Sequence, residues 1–358
     1  MAGNSLQEFR EQLTLAYLSD VIDIEDFVYL YQTNQSREIF PYWKFDKFDF
    51  ESWDDTECHK ELRFRKSDIP KLLYCLGIPD KIICCQRTSC SGLEGLCILL
   101  KRLAYPCRYT DMISRFGRNP TEICLIFNRM LSLVFNAHHH RLESFEQPFL
   151  SPENLGRYAD SIHAHGAPLQ NCFGFIDGTV RRITRPNQNQ RTLYNGYKRD
   201  HAMKFQSVVV PDGLIANLSG PYEGKRHDST MLYQSGLLPL LEQHAFYNGV
   251  PLSLYGDPAY PLGIHLQGPF KDRQPTPEME LFNKAMSSVR VSVEWMFGSI
   301  CNYFAFIDMK KQQKINLSAI GKFYSVSALL QNAHTCLYGN IVAHFFELSP
   351  PTLEHYFS

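Results

Sequence analysis

Residues 172–179 read CFGFIDGT, a short apolar run from Cys172 to Ile176 that ends on an acid, Asp177, followed by Gly178 and Thr179. A run of this length bounded by turn residues predicts a buried strand. Working outward, residues 205–218 read FQSVVVPDGLIANL. Phe205 to Val210 is a second strand, and Pro211, Asp212 and Gly213 turn it back into a third, Leu214 to Leu218. Asp228 to His244 has the pattern of a helix capped by Asp228. Pro251 to Tyr255 is a further strand that leads through Gly256 to Asp257, and Phe282 to Phe304 is a long helix. The order β, β, β, α, β, α is that of a mixed sheet with a helix packed behind it, so the predicted fold class is α/β.

A chain of 358 residues exceeds one average domain. Residues 1–60 form an N-terminal segment of unknown role, with aromatics such as Tyr42, Trp43, Phe48 and Trp53 set among aspartates. Residues 61–147 have a helical pattern punctuated by Gly and Pro. Within them Tyr109, Met112, Ile113 and Phe116 recur at helical spacing up to Gly117, and a second helix starts at once, with Asn119 as N-cap, Pro120 at its first position and Glu122 at its third. Ile123, Phe127, Met130, Leu131 and Val134 give its buried face. This is a helix-turn-helix candidate, with Arg129 as a basic contact, although any helical hairpin has the same pattern. Residues 148–170, rich in Pro and Gly, are expected to be a linker, 171–345 the catalytic domain and 346–358 a C-terminal tail.

Asp177 and Asp257 each follow an apolar run and stand beside a glycine, a common way to aim a carboxylate out of a rigid sheet into a cleft. Alone, each equally fits a turn-capping Asp. Glu294 lies beside the apolar stripe Met286, Val289, Val293, Phe297 and Ile300, with Arg290 one turn before it and Gly298 one turn after. Alone, it makes an ordinary surface pair with Arg290. Taken together, three carboxylates about 4 Å apart repel by about 4 kcal/mol per pair at an effective dielectric near 20, so a cluster of them is expected to hold cations. Oxygen ligands favour Mg²⁺ or Mn²⁺, and two such ions suit in-line attack on a phosphodiester.

The formal net charge of −1 means that a nucleic-acid partner needs a local basic surface or a second protein. The densest basic region contains Arg181, Arg182, Arg185, Arg191, Lys198, Arg199, Lys204, Lys225 and Arg226, interleaved with Tyr194, Tyr197 and His201. Phosphate contacts with stacking suit a DNA track, and a solvated basic face is the alternative. The N-terminus lacks an apolar signal core, no run reaches the length of a membrane span, and eleven scattered cysteines fit reduced thiols inside the cell. Cys84, Cys85, Cys90 and Cys97 are denser, but no paired CxxC spacing of a zinc module accompanies them.

The strings GFIDGT (174–179), YNGYKRDHAMKFQSVVVPDGLI (194–215), EGKRHDST (223–230), YGDPAYPL (255–262) and FNKAMSSVRVSVEWMFG (282–298) resemble the successive blocks of the Harbinger-type DDE superfamily endonucleases, transposases and their domesticated nuclease relatives. The resemblance runs from about residue 61 to about 340. It implies a ribonuclease H-like catalytic domain in which Asp177, Asp257 and Glu294 are the catalytic and metal-binding residues with Mg²⁺ or Mn²⁺. Arg181, Arg182, Arg185, Lys198, Arg199 and Lys204 are then expected to bind DNA. A Myb-like partner protein, assembly of copies on DNA, and work in the nucleus, with the cytoplasm and partner-dependent import in addition, follow from the same resemblance. Pro258 and Ala259 depart from the family's more usual small polar residue and glycine. Asp228, in the block KRHDS, competes as a metal ligand. The alternative to an active nuclease is a domesticated, catalytically quiet DNA-binding or scaffold protein that keeps the fold.

Overall fold

In the computed structural model, which describes residues 11–19, 21–33 and 42–358, the strand that starts at Cys172 does not stop before Asp177. It runs on to Arg182 as β1 (Cys172–Arg182), because the backbone stays paired beyond the acid, with Thr179 and Arg181 buried on one face and Val180 and Arg182 less so on the other. A six-stranded sheet is built around it from β2 (Tyr194–Asn195), β3 (Asp200–Val209), β4 (Ile215–Glu223), β5 (Ser253–Tyr255) and β6 (Leu266–Gln267). The order is β6-β5-β1-β3, with β4 along the far side of β3 and β2 on its first two residues. β1, β3 and β4 are antiparallel neighbours, whereas β5 lies parallel to β1 and β6 parallel to β5. The sheet is therefore mixed, as expected. β2 and β6 were not anticipated, since two-residue strands carry no readable period.

Alternation assigns the two faces. Phe205 stacks on Tyr324 with ring centroids 4.3 Å apart, so the face carrying Thr179, Arg181 and Phe205 is covered by the helix Ile320–Tyr338 and by the end of the long helix Pro277–Tyr303. The opposite face, with Gly178 and Gln206, meets the helix Asp228–Ser235. That helix was expected to run unbroken to His244. Instead Gly236 adopts a left-handed conformation and a second helix, Leu237–His244, starts after it. The cap is His227 rather than Asp228, which is the first helical residue. The long helix begins at Pro277, earlier than Phe282, because Thr276 caps it and Pro277 suits its first turn. All five residues of its expected apolar stripe are buried.

The capping box at Asn119 and Glu122 is present, and the helix Pro120–His138 buries all five of its expected core residues. Its predecessor is only four residues of α-helix, Ile113–Phe116, after a 3-10 turn at Tyr109–Met112. Residues 61–147 are not wholly helical. Lys81–Ile83 and Ser89–Ser91 form a small antiparallel ladder with Cys90 on it and Cys84 and Cys85 between its strands, Cys97 lying in the helix Gly92–Ala104 that follows. The preceding helix, Ile69–Cys75, ends just before the left-handed Gly77.

Residues 148–170 are not a linker. Ser151 caps a helix, Pro152–Ala164, whose first-turn proline starts rather than breaks it, and which packs on β1. Nor are residues 346–358 a loose tail, because Tyr356 and Phe357 are buried and Arg141 donates to their carbonyl oxygens at 2.9 and 2.7 Å. One cluster of buried side chains extends from Phe50 to Phe357. Phe127 reaches Phe306 and Phe323 with ring centroids 6.3 and 5.9 Å apart, so the helical region and the sheet share a core. In the N-terminal segment Phe48, half-buried, stacks on Phe116, and Phe50 and Trp53 are buried, whereas Trp43 is exposed. Residues 1–10, 20 and 34–41 of that segment lie outside the described residues. Among the described residues no helix is long and apolar enough to cross a membrane.

Candidate active site

The parallel register of β1 and β5 pairs Phe175 with Tyr255. Two residues further along each chain stand Asp177, still on β1, and Asp257, just past the end of β5, where the two strands are about 4.8 Å apart. Gly256 is what allows the second to sit there, since a Cβ at that position would meet the Tyr260 ring at 2.7 Å and Ile176 at 2.9 Å. Asp177 accepts from the Gly178 N–H at 2.7 Å and Asp257 from the Ala259 N–H at 3.0 Å. The long helix crosses above and contributes Arg290, which donates through Nη1 to Asp177 Oδ2 at 3.0 Å and through Nη2 to Glu294 Oε1 at 3.2 Å. The third acid is thus joined to the first through a guanidinium, and its side chain is 57% exposed.

Burial dominates the electrostatics. It raises the Asp177 carboxyl to about 6; Arg290 and the Gly178 N–H oppose the rise and the charge of Asp257 adds to it. Asp257 is raised by burial against the pull of the Ala259 N–H, with the negative charge of Asp228 adding to the rise. Tyr260 lies underneath, its buried hydroxyl unpartnered and its pKa pushed up by burial and then by Asp228, Asp177 and Asp257. Asp228 comes close to Gly178, where a Cβ would meet its Oδ1 at 2.9 Å, and it is held by an ion pair with Lys204.

Among the described residues no three His, Cys, Asp or Glu side chains are drawn together as a group that could hold a metal ion. The chemistry of the donor set nonetheless fits a hard divalent cation. Asp177 and Asp257 are oxygen donors held up by burial, and they would gain most from added positive charge. Glu294 would join them by exchanging Arg290 for the ion.

The basic residues divide into two sets. Arg181 is turned inward, its side chain 10% exposed, donating to Thr179 Oγ1 at 2.8 Å and to Cys301 Sγ, with its guanidinium 5.3 Å from the Tyr324 ring centre. Lys204 is equally buried and committed to Asp228 and to the Arg226 carbonyl. These two are not part of an open phosphate track. They fall on inward positions of β1 and β3, a placement that follows once the strands extend past the apolar runs. Arg182, Arg185, Lys198 and Arg199 are exposed. Sequence reasoning treated Arg290 only as a surface partner of Glu294 and did not single out Tyr260; only the packing of the helix over β1 reveals their positions.

Residues 176–332 match the family model described as DDE superfamily endonuclease. The matched segment contains Asp177, Asp257 and Glu294. Comparison with curated proteins and with solved structures found no match.

Proposed function

We propose that a chain whose residues 176–332 match the DDE superfamily endonucleases is a metal-dependent DNA endonuclease of the transposase kind, of Harbinger type and ribonuclease H-like in fold. The observation that carries this reading is the pair Asp177, on β1, and Asp257, two residues past the paired end of the parallel neighbour β5, with Arg290 of the long helix joining Asp177 to Glu294. Asp177, Asp257 and Glu294 would hold Mg²⁺ or Mn²⁺, which when bound supplies charge stabilisation for an in-line displacement at phosphorus. The chain's own part is positional. Arg290 fixes Asp177 from above and the Gly178 N–H fixes it from the strand, while Lys204 neutralises Asp228, leaving Asp228 a supporting rather than a ligating role. Arg182, exposed at the end of β1, and Arg185, Lys198 and Arg199, exposed between β1 and β3, serve the phosphates of duplex DNA. Arg129, exposed on the helix Pro120–His138, adds affinity from the helical region. With a net charge of −1, a Myb-like DNA-binding partner and assembly of copies on DNA would supply target choice in the nucleus.

The test is nicking of supercoiled DNA and of element-end duplexes by the purified full chain in Mg²⁺, in Mn²⁺ and in EDTA. Nicking with either metal and none in EDTA is expected. Equal nicking in all three would remove the metal-dependent reading.

A further inference from the structure

The segment 308–314, DMKKQQK, is remote in sequence from the basic stretch after Asp177, yet the fold lays the two side by side. The Thr184 N–H donates to the Gln313 carbonyl at 2.9 Å, and the Thr184 hydroxyl donates to the Lys310 carbonyl at 2.8 Å. Asp200 takes Lys310 Nζ on both oxygens, at 2.7 and 2.8 Å, and has Arg182 Nε at 3.9 Å. The segment is also anchored from beneath. Phe306, Ile307 and Gln313 are buried, Gln313 Nε2 donates to the Phe306 carbonyl at 3.0 Å, and Arg102 lies over the Phe306 ring while donating to Gln312 at 3.3 Å. Lys311 and Lys314 are left exposed on a rigid base.

We propose that Lys311 and Lys314, on a base that Lys310 ties to Asp200, form with Arg182 and Arg185 one preformed ridge that contacts the phosphates of duplex DNA. This rests on the nuclease reading above and extends it to a segment that the sequence pattern did not single out. Three observations carry it. Segments 182–200 and 308–314 together hold eight Lys and Arg residues against two acids, Asp200 and Asp308, so a local positive field exists on a chain whose net charge is −1. One of those acids, Asp200, is spent on tying the two segments together. The ridge also has the right reach. Arg182 is five residues along β1 from Asp177, about 17 Å at strand rise, which is roughly five base pairs of duplex at 3.4 Å each. A duplex lying along β1 from Asp177 would pass over it within half a helical turn. The ridge is built on backbone hydrogen bonds and buried aromatics, so little ordering entropy is lost on binding.

The experiment measures binding of a labelled duplex by fluorescence anisotropy over a salt series. It uses the full chain carrying Asp177→Asn to prevent turnover, alone and with Lys311→Gln/Lys314→Gln, with Arg182→Gln/Arg185→Gln, or with all four. The slope of log K against log salt should flatten by up to about 2 for each pair and up to about 4 for the four together. Nicking by the chain with Asp177 intact is measured in parallel. A flattened slope without nicking upholds the ridge and removes the nuclease reading. Nicking with an unchanged slope in variants whose melting matches the parent overturns the ridge and leaves the nuclease standing. Binding to heparin but not to duplex DNA also overturns it.

Discussion

Asp177 and Asp212 belong to the same antiparallel block, one on β1 and the other in the turn that joins β3 to β4, and burial holds both carboxyls at about 6. Their surroundings differ. Asp212 is enclosed by neutral donors, the Tyr158 hydroxyl at 2.6 Å and the Leu214 N–H at 3.1 Å, and these groups complete a turn. Asp177 faces a second carboxylate, Asp257, and a guanidinium that it shares with Glu294. A raised carboxyl therefore does not by itself mark chemistry. What sets Asp177 apart is a like charge beside it and an opposite charge shared between two acids, the surroundings that the proposed cation site needs.

The comparison breaks most visibly under substitution. Asp177→Asn should lower DNA cleavage about a thousandfold or more, measured as initial nicking rate with saturating DNA, because the proposed shared site would lose a ligand. Asp212→Asn should leave the nicking rate per folded molecule unchanged. A large loss with Asp212→Asn would erase the distinction.

The second expectation concerns pH. The Asp212 carboxyl lies at 3.8 ordinarily and at about 6 in the fold, so the native state binds its proton more tightly than the unfolded chain does. Its contribution to stability is then greatest below about pH 4 and falls by about 3 kcal/mol as pH rises through 4 to 6. Denaturant unfolding of Asp212→Asn should lack that share of the fall. A parallel pH profile for the variant and the wild type would contradict the assignment.

Tyr158→Phe should cost about 1–3 kcal/mol in unfolding free energy, since it strips a donor from a buried carboxylate, with nicking unaffected. The smallest effect on stability is expected at Glu294. Its pairing with Arg290 is an exposed i, i+4 contact, so Glu294→Gln should change stability by less than about 0.5 kcal/mol while removing nicking. A large stability loss there would recast Glu294 as a structural residue.

The acids and the strands that lead to them were legible because apolar runs ending in Asp-Gly or Gly-Asp are local signals. The continuation of β1 was not. Gly178 reads as a turn, yet eight residues from Phe175 to Arg182 pair with β3, and no local feature announces a partner strand that far along the chain. Arg181 was misplaced for the same reason, because Cys301, Tyr324 and Asp308, which receive it, are remote in sequence. The helix Pro152–Ala164 was missed for a different reason. Ser151-Pro152 is the same start signal as Asn119-Pro120, but Gly156 argued for a break, whereas here it admits the Tyr247 ring to 2.7 Å of where a Cβ would stand. The three acids of the proposed site were readable as a set only through the family blocks. Arg290 between two of them was not, since its reach to Asp177 depends on how the long helix crosses the sheet.

The central claim is that Asp177, Asp257 and Glu294 act as one site. Its most direct test is nicking of supercoiled DNA in Mn²⁺ by the single variants Asp177→Asn and Asp257→Asn and by the double. The account expects the double variant to be no worse than either single, all three at background and all folded as judged by thermal melting. Two modest single defects that multiply in the double variant would contradict it.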